Sequence, residues 1–176
     1  MGYYIALILL PLLAILENSV LIDLQALYAP LYGQPSLVLV AIIAWSWHSE
    51  LTEAIFWAFV GGIASDLLNP IVPVGVSVIA PLVMVFAVKT IERLFYQVSI
   101  FTLIAFVAVG TILHHVIIFI TFSSQGIIVP LAEYIQSYSI VTLAFNILGI
   151  MPMYWVLRRI QKRIPQRQNP WAVTPR

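Results

Sequence analysis

The chain contains no cysteine, so its histidine and carboxylate side chains are the first groups to consider for metal binding or proton transfer. His114 and His115 are adjacent, and two adjacent residues of a helix point about 100° apart, so they are poorly placed to hold one metal ion together. The sequence has no glycine-rich phosphate loop, no zinc-protease or serine-hydrolase motif and no paired catalytic set. We therefore expect a protein that is not an enzyme and that needs no cofactor or metal.

Two carboxylates stand out because long apolar segments surround them. Glu17 lies inside the first apolar segment, where an ionised carboxylate costs several kcal/mol unless it is paired, protonated or in contact with water. It reaches either interfacial water or a neighbouring hydroxyl, or it belongs to a contact with a partner. Asp66 follows a segment rich in small residues, and it either caps the next turn or receives a partner from another chain.

The elements that must position these side chains are membrane-spanning helices. The 176 residues are 62% hydrophobic and only 9% charged, with a mean hydropathy of +1.03, which is too apolar for a water-covered domain. Unpaired backbone amides are not tolerated in hydrocarbon, and the apolar runs are continuous, so they predict helices. The sequence predicts an all-α bundle of six spans at 3–24, 35–47, 51–68, 74–95, 98–122 and 137–160. The second span is short, so a re-entrant or tilted segment and a five-span bundle remain alternatives.

The basic residues predict the orientation of this bundle. In the six-span arrangement Lys89 and Arg93 end the fourth span and the other six basic residues lie at or beyond the end of the last one, so all eight lie on one side. The positive-inside rule makes that side the cytoplasm and places both termini there. The chain then divides into a transmembrane domain at 1–157 and a basic cytoplasmic tail at 158–176. Anionic lipids are the predicted ligands of the tail, through Arg158, Arg159, Lys162, Arg163 and Arg167.

Small residues mark two helix faces. In the third span they form two overlapping small-xxx-small pairs, made by Ala58, Gly61, Gly62 and Ser65. Such pairs let another helix approach closely, either within the bundle or from a partner chain. The sixth span carries a second small and polar stripe, a predicted packing seam, at Ser139, Thr142, Asn146, Gly149 and Met153.

The stretch after the small residues resembles a known family. Gly-Gly-Ile-Ala-Ser-Asp-Leu-Leu-Asn-Pro at 61–70, followed by Pro-Val-Gly-Val at 73–76, resembles MreD, the rod-shape-determining membrane protein. That family carries a glycine-rich helix ending in Gly-x-x-x-Asp-Leu, a short turn and Pro-x-Gly. The matching positions are Gly62, Asp66, Leu67, Pro73 and Gly75, whereas Ser36 stands where the family has an acidic residue after the proline of the second span.

The resemblance implies a non-enzymatic part of the bacterial cell-elongation machinery in the inner membrane. Its partner would be the single-span protein MreC, which links it to the MreB cytoskeleton and to the enzymes of peptidoglycan synthesis. MreD-like chains are also similar to the substrate-binding S-components of energy-coupling-factor transporters, so binding of a vitamin or another small solute is the alternative function. The residues expected to shape a partner-binding surface are Glu17, Ala58, Gly61, Gly62, Ser65, Asp66, Pro73 and Gly75.

Overall fold

The computed structural model of the chain is built of helices. The structure describes residues 2–20, 33, 35–69, 71–94, 99–128 and 130–163, and in this part it contains six helices and no strand. The helices are α1 (Gly2–Ile15, continued by a π-helical turn at Leu16–Val20), α2 (Leu37–Ser46), α3 (Leu51–Leu68), α4 (Val76–Leu94), α5 (Ile100–Ser124) and α6, which starts as Leu131–Glu133, passes through a π-helical segment at Tyr134–Ser139 and continues as Ile140–Arg163. The predicted all-α fold is confirmed.

Four of these helices are long and apolar enough to cross a membrane by length and composition, namely those at Gly2–Ser19, Leu51–Leu68, Ile100–Ser124 and Tyr134–Arg163. The chain is therefore a multi-pass membrane protein. Helix α4 has 19 residues but ends in a charged turn that contains Lys89, Glu92 and Arg93. Helix α2 has only ten residues and is about 15 Å long, half of the roughly 30 Å hydrocarbon layer. This length agrees with the alternative in which the second segment does not cross the membrane by itself.

Consecutive helices run antiparallel. Lys89 near the end of α4 donates to the carbonyl of Ser49 just before α3, whereas Val78 near the start of α4 packs on Gly62 late in α3. Helices α5 and α6 are antiparallel as well, since His115 contacts Tyr134 at the start of α6 whereas Thr111, earlier in α5, contacts Asn146 further along α6. Six alternating helices bring the start of α1 and the end of α6 to one end of the bundle, which also holds Lys89 and which we call the basic end.

Helix α2 occupies the centre of the bundle. All its residues from Val38 to Ser46 are buried, whereas the other five helices each leave apolar side chains exposed at the surface. The sequence explains this position, because Leu37–Ser46 has no polar residue before Ser46, and a helix that is apolar all round is stable only when it is surrounded. The remaining helices form a shell around α2, and their outward faces meet the lipid.

Candidate functional site

Gly62 permits the closest approach between α3 and α4. A Cβ atom at this position would lie 2.5 Å from the Cα of Val78 and 2.7 Å from its backbone nitrogen, far inside van der Waals contact. The obstacle is backbone, which cannot rotate away as a side chain can. Gly61 faces α2 instead, where a Cβ would meet the ends of Val38 and Ile42 at 2.8 Å. The two adjacent glycines therefore pack α3 against two different helices of its own bundle.

Asp66 caps the start of α4. Its Oδ2 accepts a hydrogen bond from the backbone N–H of Gly75 at 2.6 Å, and both oxygens lie 3.2 Å from the N–H of Ser77. Gly75 has a φ of +102°, a left-handed conformation that glycine adopts without steric cost. A carboxylate at this position satisfies amides that have no partner within the helix and interacts favourably with the helix dipole. Of the two alternatives for Asp66, a local cap is the one that the structure contains.

The small-residue face is turned into the bundle and does not form an outer surface. Ala58, Gly61, Gly62 and Asp66 are all buried within the chain itself, Asp66 with only 2% of its surface exposed. Within the chain Gly61 packs on α2, Gly62 packs on α4, and Asp66 bonds to the start of α4. At these four residues the structure contains packing within the bundle, and a contact with a partner stays a prediction. Ser65 and Gly75 are half-buried, and Pro73 is exposed.

Glu17 meets the first turn of α2. Its Oε2 accepts from the backbone N–H of Val38 at 3.3 Å, and its Oε1 lies 3.5 Å from the hydroxyl of Ser36, which donates to it. The carboxylate thus caps α2 from α1, as Asp66 caps α4 from α3. The π-helical turn Leu16–Val20 carries Glu17, and such turns recur at functional positions in helices. Of the two alternatives for Glu17, contact with a neighbouring hydroxyl is the one that the structure contains.

Asn146 completes this cap from α6. Its Oδ1 accepts from the backbone N–H of Ser36 at 2.7 Å, and its Nδ2 donates to the hydroxyl of Thr111 at 2.9 Å. Thr111 and Asn146 are each 1% exposed, so α2, α5 and α6 meet at a dry polar contact. We call Glu17, Ser36, Thr111 and Asn146 the α2 cap cluster. The sequence pattern places Asn146 on a packing stripe, but it contains no signal that Thr111 or Ser36 would join it.

A second polar group, at the basic end, holds the start of α1. Trp45 and Trp57 stack with ring centroids 4.1 Å apart, and their indole N–H groups donate to Glu53 at 2.9 Å and to the carbonyl of Gly2 at 3.2 Å. Gly2 is buried there, so the first turn of α1 is fixed on α2 and α3. These contacts join the basic ends of α1, α2 and α3.

The basic residues of α6 form an exposed surface at the basic end. Arg158, Arg159, Lys162 and Arg163 are all exposed, and α6 continues through Arg163, so the predicted tail begins as helix. The Arg159 guanidinium lies 4.1 Å from the centroid of the Trp155 ring, and Arg158 lies 5.8 Å from that of Tyr154. Arginine and aromatic side chains paired in this way are typical of a membrane–water interface. Arg167, the fifth predicted lipid contact, lies outside the described residues.

A cavity of about 360 Å³ separates α5 from the first turns of α6. Its walls include Ile112, His115, Val116, Tyr134, Ile135 and Ile140. His115 Nδ1 lies 3.1 Å from the hydroxyl of Tyr134, which bridges the two helices beneath the cavity. In the part of the chain that the structure describes, no three histidine or carboxylate side chains gather as metal ligands.

The chain was compared with protein-family models, with curated proteins and with solved structures, and none of the three comparisons finds a match.

Proposed function

We propose that this protein is a non-enzymatic assembly factor of the bacterial cell-elongation machinery that binds an MreC-like single-span protein. The observation that carries the proposal is the pair of hydrogen bonds from Gly75 and Ser77 to Asp66. These bonds join the two halves of the stretch that resembles MreD, which the sequence separates by a turn. The likeness therefore falls on residues that act as one structural unit.

Three of the five matching positions have a physical task of their own in this corner of the bundle. Gly62 admits the backbone of α4, Asp66 caps that helix, and Gly75 supplies the left-handed conformation that directs its amide toward the carboxylate. A chance likeness in an apolar sequence would have no reason to gather these tasks at one place. The agreement between motif and geometry supports the family resemblance, and the role in cell elongation follows from that resemblance.

The use of the polar side chains also favours an assembly role. Glu17, Asp66 and Asn146 are engaged in capping helices of the same chain, and Glu53 is bonded to Trp45. A subunit that binds a vitamin needs several polar groups that converge on the ligand. Among the residues that the structure describes, the wall of the cavity between α5 and α6 has no charged side chain, so these residues do not supply such a set.

The orientation belongs to the same proposal. Arg158, Arg159, Lys162 and Arg163 lie at the basic end together with the start of α1, and the positive-inside rule assigns this end to the cytoplasm. The protein would then lie in the bacterial inner membrane with both termini in the cytoplasm. The opposite end, where Asp66 caps α4, would face the compartment in which the wall is built.

Co-purification tests the proposal directly. The full chain with an affinity tag would be co-expressed with the MreC-like protein of the same genome, or with an unrelated single-span protein of similar length, and solubilised in mild detergent. We expect the MreC-like protein alone to be retained at a fixed ratio. Equal retention of both, or of neither, would refute the assembly role, and tight binding of a small vitamin by the purified chain would favour the transporter function.

Asp66→Asn separates a capping role from a charged contact with the partner. The substitution keeps one acceptor oxygen and removes the charge, and Asp66 is buried, so we expect a less stable bundle that still retains the partner. Loss of the partner from a variant that remains monodisperse would show that the carboxylate takes part in the contact itself.

A further inference from the structure

The cavity between α5 and α6 opens sideways from the bundle. Three residues of its rim, Ile112, Val116 and Ile135, are each about half exposed, at 54%, 48% and 46%. They belong to helices that are apolar enough to span a membrane, so the medium at this opening is hydrocarbon. Molecules that enter the cavity therefore come from the bilayer.

The π-helical segment Tyr134–Ser139 forms one wall of the cavity. Tyr134 is buried, with its hydroxyl 3.1 Å from His115 Nδ1 and 3.3 Å from the carbonyl of His115, to which it donates. Ser139 donates to the carbonyl of Tyr134. The hydroxyls of Tyr134 and Ser139 are paired within the wall, and the Nε2 of His115 has no hydrogen-bond partner but is buried beneath the surface. The other described residues of the lining are apolar. The cavity therefore suits a ligand segment that has neither charge nor hydrogen-bonding groups.

Size distinguishes the two apolar occupants that a membrane offers. Three turns of a helix, about 16 Å long and at least 10 Å wide, occupy more than roughly 1,000 Å³, so a partner helix cannot enter a cavity of about 360 Å³. On a scale of about 30 Å³ for a water-sized group, the cavity holds roughly a dozen such groups. A linear hydrocarbon segment of about that number of carbons fits.

We propose that the α5–α6 cavity binds one acyl chain of a membrane phospholipid. Transfer from bilayer to cavity gains no hydrophobic free energy, because both environments are apolar, so binding depends on close packing against the cavity wall. The chain therefore exchanges with bulk lipid, and it is recognised by shape. This inference does not depend on the proposed function, since it rests on the cavity alone.

Photo-crosslinking tests the inference in vesicles of phosphatidylglycerol and phosphatidylethanolamine that contain a trace of phosphatidylglycerol with a diazirine on one acyl chain. The full-length protein is irradiated, and the labelled peptides are identified by mass spectrometry. We expect label concentrated on the cavity wall around Val116 and Ile135, above the level on the exposed face of α1. Label spread evenly over all lipid-facing helices would overturn the proposal.

A matched pair of variants controls for protein folding and surface exposure. Val116→Trp places a bulky side chain in the cavity, whereas Val109→Trp makes the same change two turns away on the same face of α5, at a residue 56% exposed. We expect Val116→Trp to remove the cavity label and Val109→Trp to leave it unchanged, with both variants monodisperse. Retention of the cavity label in Val116→Trp would contradict the proposal. Absence of cavity label in the wild-type protein would contradict it as well, since it would mean that a second copy or another protein covers the opening.

Discussion

The packing of α3 against α4 predicts a large stability difference between glycines of this chain. In Gly62→Ala the new Cβ would lie 2.5 Å from the Cα of Val78, and ordinary contact begins at 3.4 Å, so the backbone of α4 must move by about 0.9 Å (3.4 − 2.5). Overpacking of this kind costs about 1–3 kcal/mol. The gain in helix propensity from glycine to alanine, about 0.5–1 kcal/mol, offsets only part of it. We expect the free energy of unfolding to fall by about 1–2 kcal/mol.

Two other glycines of the chain serve as controls. A Cβ atom added at Gly149 would have no heavy atom of another residue within 4 Å, so Gly149→Ala should leave stability unchanged or raise it by up to about 1 kcal/mol. At Gly61 the obstacles are the ends of the Val38 and Ile42 side chains, which can move, so Gly61→Ala should lie between the two. The order of stability is therefore Gly149→Ala, then Gly61→Ala, then Gly62→Ala.

The purified variants are heated in one detergent, and size-exclusion chromatography measures how much protein stays folded at each temperature. The unfolding midpoints of the variants should follow this order. The wild-type protein is the common reference. A Gly62→Ala variant as stable as Gly149→Ala would refute the close contact between the two helices.

Three further predictions address the orientation, the α2 cap cluster and the basic surface. A cysteine at Gln125 should react with a membrane-impermeant reagent added to intact cells and one at Lys162 should not; labelling at Lys162 would reverse the orientation. Asn146→Leu should destabilise the bundle by about 1–3 kcal/mol because it leaves the buried N–H of Ser36 without its acceptor, and an unchanged unfolding midpoint would contradict this role. A peptide of residues 155–176 should bind anionic vesicles, each nearby basic residue contributing about 1 kcal/mol, and neutralising Lys162 and Arg163 together with Arg167 should weaken binding by at least tenfold; unchanged affinity would exclude lipid docking.

Helix positions follow from the sequence because hydropathy and turn residues are local signals. The sequence predicts the third segment at 51–68, where the helix occupies Leu51–Leu68, and the short second segment at 35–47, where the helix is Leu37–Ser46. The cap by Asp66 is also predictable, since its partners Gly75 and Ser77 follow it by only nine and eleven residues. These features depend on residues that are close in sequence.

Contacts between distant segments are not predictable in this way. Asn146 meets Ser36 across 110 residues and Glu17 meets Val38 across 21, and no local pattern specifies either pair. For the same reason the sequence does not determine which way the small-residue face points. A glycine pair indicates that another helix can pack closely there, but it does not indicate which helix does so. The π-helical segment at Tyr134–Ser139, which shapes the cavity, has no recognised sequence signature here.

The central position of α2 has a consequence for how the protein is made. One of the groups that cap its first turn, Asn146, lies on the last helix and leaves the ribosome 110 residues after Ser36. At about 5–20 residues per second, roughly 5–20 s of synthesis separate the two. During that time the start of α2 lacks an acceptor that it has in the finished bundle, and an unpaired amide is costly in hydrocarbon. We therefore expect the start of α2 to reach its final hydrogen-bonded arrangement only after the last helix has been translated.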